Sequence, residues 1–81
     1  MFVTVRLFAR LREIAGGPEL KIEVPDGAQV RDAWAVLTAR HPELAAYERA
    51  ISCAVNEDYA RMTATLRDGD EVAFLPPVSG G

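Results

Sequence analysis

An α+β domain, with one main helix laid across one face of a small sheet, is what this sequence predicts, and three observations carry that expectation. Phe2 to Ala9 and Leu20 to Val24 alternate apolar and polar side chains, the period-two pattern of half-buried strands. Val30, Ala33, Trp34 and Leu37 recur at helical spacing. Two further short apolar runs, Ile51 to Val55 and Glu71 to Leu75, then return to strand-like composition. One helix serving several strands must cover one face, which leaves the other face to water.

In the first run Val3, Val5 and Leu7 fall on one side, with Thr4, Arg6 and Phe8 on the other. Arg10 to Ala15 predicts a short helical turn closed by Gly16, Gly17 and Pro18. The second strand, Leu20 to Val24, pairs back on the first and is broken by Pro25-Asp-Gly27. The main helix ends near His41, because a residue before proline is pushed out of the α region. Glu43 to Ala50 reads as an irregular or partly helical connector. Ile51, Cys53 and Val55 line one face of a third strand, and Asn56-Glu-Asp58 supplies a turn. Tyr59 to Thr65 is open between loop and short edge strand, and Arg67-Asp-Gly-Asp70 turns the chain into the last strand. The order fits a ubiquitin-like β-grasp, with first and last strands parallel in the middle of a mixed sheet. Residues 1–75 form that domain and residues 76–81 an extended tail. Parity then puts Val3, Val5, Leu7, Val72 and Phe74 toward Trp34 and Leu37, and Phe8, Ala73 and Leu75 on the opposite face.

Eighty-one residues, 49% of them hydrophobic, make one domain that buries roughly 60% of its unfolded surface. A net charge of -3 with arginines scattered among acids lacks the clustered basic surface that nucleic acid requires. No apolar run approaches the ~18 residues of a membrane span, and the amino-terminal run alternates where a signal peptide would be continuous, so a cytoplasmic protein is expected. One Cys and one His supply neither a disulfide framework nor a zinc site, so no metal is expected.

The tail holds the chemical clue. Gly80 and Gly81 lack side chains and let backbone pass through a channel too narrow for a Cβ. Pro76 and Pro77 fix φ near -65° and stiffen the arm that carries them. The expectation is a carboxylate inserted into another protein's active site. A merely frayed, Gly-ended terminus would leave the proline pair without a use.

The segment Asp68-Gly-Asp-Glu-Val-Ala-Phe-Leu-Pro-Pro-Val-Ser-Gly-Gly81 resembles the small subunit of molybdopterin synthase, the MoaD family of sulfur carriers. Leu7-Phe-Ala-Arg-Leu-Arg-Glu13, Ala54-Val-Asn56 and the overall length extend the resemblance along the chain. It implies a cycle in which an E1-like adenylyltransferase uses ATP to convert the Gly81 carboxylate to an acyl adenylate. A persulfide donor protein then supplies the sulfur of a Gly81 thiocarboxylate. That thiocarboxylate donates sulfur to cyclic pyranopterin monophosphate in the active site of the large subunit, within a heterotetramer. The resemblance implies that Gly81 carries the reacting atoms, that Gly80, Ser79, Val78, Pro77 and Pro76 thread the channel, and that Phe8, Tyr59 and Leu75 dock the partner. Catalytic side chains would belong to the large subunit and no cofactor to this chain. Ser79 is either a hydrogen-bonding group in that channel or a solvated linker residue.

The same tail is compatible with a protein modifier conjugated to lysines, with a carrier for thiamine or tRNA thiolation, and with a binding module whose tail only docks. Cys53 alternates with Ile51 and Val55 and reads as core rather than as a sulfur relay. Trp34 reads as the main core residue. His41 has no companion ligand or nucleophile. Gly16-Gly17 leads into a strand and lacks the following Lys-Ser/Thr of a phosphate loop.

Overall fold

The computed structural model describes residues 1–77. Five strands, β1 (Phe2–Leu7), β2 (Glu19–Glu23), β3 (Ser52–Val55), β4 (Asp58–Ala60) and β5 (Glu71–Leu75), accompany helices α1 (Ala9–Ala15) and α2 (Val30–Arg40) and a 3-10 helix over Pro42–Tyr47. The sheet runs β2-β1-β5-β3-β4. β1 and β5 pair in parallel, with Val5 opposite Val72 and Leu7 opposite Phe74, and the neighbours β2 and β3 pair antiparallel to them. The β-grasp expectation is met, including the parallel pairing of first and last strands.

Alternation decides where the core sits. Val3, Val5, Leu7, Ile22, Val72 and Phe74 are buried on one sheet face, beneath Val30, Ala33, Trp34 and Leu37 of α2. The Trp34 and Phe74 rings meet with centroids 5.0 Å apart and planes inclined at 55°, a tilted geometry worth about 0.5–1.5 kcal/mol beyond the buried area. The Asp32 carboxylate accepts the Gln29 backbone N–H at 2.8 Å and ties down the start of α2. At the other end His41 donates its N–H to the Leu37 carbonyl at 2.8 Å, and Pro42 opens the 3-10 helix.

Two local features depart from the alternation pattern. β1 ends at Leu7, and Ala9 opens α1 with a φ of +51°, so Phe8 is an extended N-cap residue instead of a strand residue. Gly16, at φ +83°, closes that helix by donating its N–H to the Arg12 carbonyl at 3.0 Å. The ambiguous stretch after Tyr59 divides in two. Asp58–Ala60 is the short edge strand β4, whereas the carbonyls of Met62 and Ala64 accept the N–H groups of Arg31 and Val30 at 2.8 and 2.9 Å. Those are first-turn donors of α2, which have no partner within a helix. The segment beyond Ala60 therefore caps a helix instead of extending the sheet.

Candidate functional site: the uncovered sheet face

Side chains at alternate positions on the face opposite α2 converge near the end of β5. The pairings Arg6 with Ala73, Ala73 with Ala54, and Ala54 with Tyr59 align four residues across β1, β5, β3 and β4. The two alanines in the middle of this row make a low floor. Around it stand Phe8, Tyr59 and Leu75, with Arg6, Glu57 and Glu71 at the margins, and together they enclose a depression of about 240 Å³. That falls below the ~300 Å³ at which small-molecule pockets begin, and suits one or two inserted side chains.

The three residues singled out for partner docking are thus brought together. Phe8 is 37% and Tyr59 84% exposed, and both stand out as large hydrophobic side chains left to solvent. Leu75 is half-buried. Three apolar groups around one depression form a patch, which on a small domain marks an interaction surface more readily than scattered apolar residues do. Of the tail residues, Pro76 is half-buried and Pro77 exposed. Val78, Ser79, Gly80 and Gly81 lie outside the described residues.

Polar groups at the margin were not singled out from sequence. The Arg6 guanidinium lies 3.3 Å from the Glu71 carboxylate and 5.6 Å from the centre of the Phe8 ring. It thus joins an ion pair to a cation-π contact. The signal was present: Arg6 shares the parity of Phe8, and Glu71 that of Ala73 and Leu75. Asn56, expected as a turn residue and as part of the resemblance, also makes a joint. Its amide donates to Asp70 Oδ1 at 2.9 Å, its side-chain oxygen accepts the Glu71 N–H at 3.0 Å, and its own N–H donates to the Glu71 carbonyl at 2.8 Å. The turn between β3 and β4 is thereby fastened to the start of β5.

The remaining candidates resolve into structural roles. Cys53 is buried, its thiol donates to the Ala60 carbonyl at 3.0 Å, and burial pushes its pKa up, which keeps it a poor nucleophile. Arg10 pairs with Glu13 at 3.0 Å, and that bond, with Tyr47 close by, holds the guanidinium more firmly charged. Among the described residues no group of three or more His, Cys, Asp and Glu is placed to hold a metal ion, and no helix is long and apolar enough to cross a membrane.

A ubiquitin-like β-grasp domain with an apolar patch beside its last strand is the class of protein that this geometry defines. Comparison with known proteins is more specific. The ThiS family model matches residues 5–81, and the chain belongs to that family. It is 42% identical, over 83 residues and 100% of both chains, to the molybdopterin synthase sulfur carrier subunit of Chlamydomonas reinhardtii. Among solved structures, SAMP1 from Haloferax volcanii superposes with a TM-score of 0.86 at 33% identity, covering 100% of both chains. A chain of the Amycolatopsis orientalis BexX/CysO complex matches with a TM-score of 0.74 at 30% identity, over 98% of this chain and 99% of that one. The resemblance first carried by the Asp68 to Gly81 segment therefore extends over the whole chain. In sequence the chain is thus similar to a molybdopterin synthase sulfur carrier subunit, and in fold to SAMP1.

Proposed function

We propose that this chain is the sulfur-donating small subunit of a cytoplasmic molybdopterin synthase, with its working group at Gly81 and its docking surface at Phe8, Tyr59 and Leu75. The observation that carries the reading is the position of Leu75. It lines the apolar depression and immediately precedes Pro76, so that docking on the patch fixes the point from which the tail departs.

In this reading an E1-like enzyme supplies ATP and forms an acyl adenylate on Gly81. An ionised carboxylate repels nucleophiles, whereas its mixed anhydride with phosphate offers a good leaving group. The outer sulfur of a persulfide donor displaces AMP to give an acyl disulfide. A second thiol then cleaves its S–S bond, leaving a disulfide on the donor side and releasing the thiocarboxylate, which is nucleophilic through sulfur. Gly80 permits close passage through the partner's channel, Val78 and Ser79 occupy it, and Pro76 and Pro77 hold the arm extended. In this reading the general acid and base belong to the large subunit. The BexX/CysO neighbour is a complex of two proteins, which supports a docked mode of action for this chain as well.

Intact mass spectrometry of the protein produced alongside its activating enzyme and sulfur donor tests the proposal. Replacement of one oxygen by sulfur at Gly81 is the expected result. An unmodified acid under all such conditions would overturn it. SAMP1 is by name a small archaeal modifier protein, so the second reading is conjugation to target lysines. Isopeptide adducts without thiocarboxylate would establish that reading instead.

A further inference from the structure

The turn joining β3 to β4 is built from Asn56 and Glu57, with φ of +49° and +73°. Two positive φ values in a two-residue hairpin loop are what a type I′ turn requires, and Asn-Gly is the pair that adopts them most readily. Asn56 fits that preference. Glu57 does not, since a side chain with a Cβ in the left-handed region is strained where glycine would be free. The chain thus carries a carboxylate at the one turn position where almost any side chain is a disadvantage to folding.

Three observations indicate what that carboxylate does. Glu57 is exposed and lines the depression formed by Phe8, Tyr59 and Leu75. It forms no ion pair among the described residues, whereas the Glu71 carboxylate at the margin of the same depression is already matched by Arg6 at 3.3 Å. Its backbone is held in place, because Asn56 is bonded to Asp70 and to both backbone groups of Glu71. The depression therefore has an apolar floor, a neutralised Arg6–Glu71 pair and an unmatched negative charge on Glu57 along its margin, with exposed Asp58 next to it.

Resting on the reading of this face as the docking surface, we infer that Glu57 is a specificity element, and that the partner covering the patch places a lysine or arginine side chain opposite it. A charge at the margin of an interface acts chiefly on the encounter, raising the association rate and excluding partners of like charge. Because the turn is fastened to β5, the backbone that carries Glu57 is held at the edge of the patch, and only its side chain has to be ordered on docking.

The test is stopped-flow association of the full chain with its purified synthase large subunit, across a salt series, for the parent, Glu57→Gln, Glu57→Gly and Phe8→Ala. Glu57→Gln should slow association about three- to tenfold at low salt, with the dissociation rate within about twofold of the parent. The difference should vanish as ionic strength nears 1 M, where the screening length is about 3 Å. Glu57→Gly should slow association equally while raising the melting temperature, since it frees the strained position. If Phe8→Ala weakens binding but both Glu57 variants associate like the parent at every salt concentration, or faster, the inference is wrong and the docking surface stands. If Phe8→Ala also binds like the parent, the docking surface itself is misplaced.

Discussion

Phe74 and Leu75 are consecutive in the chain and lie on opposite sides of the sheet: Phe74 is fully buried against Trp34, while Leu75 lines the uncovered depression. Stability and recognition therefore separate at adjacent positions. Phe74→Ala should cost about 3–5 kcal/mol, the range for truncating a buried aromatic side chain. Leu75→Arg should change stability by about 1 kcal/mol or less and weaken partner binding at least about tenfold. Denaturant melts and calorimetric titration with the large subunit measure the two effects, and equal loss of stability in both variants would contradict the division of faces.

Asn56 supplies the joint between the β3–β4 hairpin and β5. Asn56→Ala removes both side-chain bonds and leaves a Cβ-bearing residue, without asparagine's local hydrogen bonding, at a φ of +49°. A loss of about 1–3 kcal/mol is expected from chemical denaturation. A change below about 0.3 kcal/mol would mean that the joint contributes nothing to the fold.

Ala9, at φ +51°, is strained at the boundary between β1 and α1. Ala9→Gly relieves that strain but adds freedom to the unfolded chain, and the first effect should prevail by about 0.5–1 kcal/mol. The midpoint of urea denaturation should rise with an unchanged slope. A fall in the midpoint would show that the unfolded-state entropy dominates at this position.

Cys53 makes the stability of the fold fall at alkaline pH. Burial raises its pKa in the folded chain, whereas the unfolded thiol titrates near about 8.5. The neutral thiol's contribution is complete below that value. Above it the unfolded chain loses its proton first, so stability declines as pH rises toward the folded pKa. Cys53→Ala should flatten the decline that begins above about pH 8.5 in urea melts. The same slope in the variant would assign the decline to other groups.

The fold was legible because period-two alternation in β1 and β5 and helical spacing in α2 name the same core: Val3, Val5, Leu7, Val72 and Phe74 beneath Trp34 and Leu37. The apolar patch was legible for the same reason, since parity that buries Phe74 must expose Leu75. Segments whose form depends on distant partners were not. Met62 and Ala64 carry no pattern of their own, and their carbonyls are placed by the free N–H groups of Arg31 and Val30. Ala9 reads as a strand residue until Leu11 and the rest of α1 draw the chain into a left-handed turn. Arg6 and Glu71 are ordinary surface charges in sequence, and only the parallel register of β1 and β5 makes them a pair beside Phe8.

The central place of β5 between β1 and β3 has a mechanical meaning. A force applied at Pro77 along the axis of β5 would act on a strand gripped on both flanks. Both ladders then bear the load in shear and must yield together, where an edge strand would unzip one bond after another. Such a load would be spread over the middle of the domain, which could bear it without unravelling.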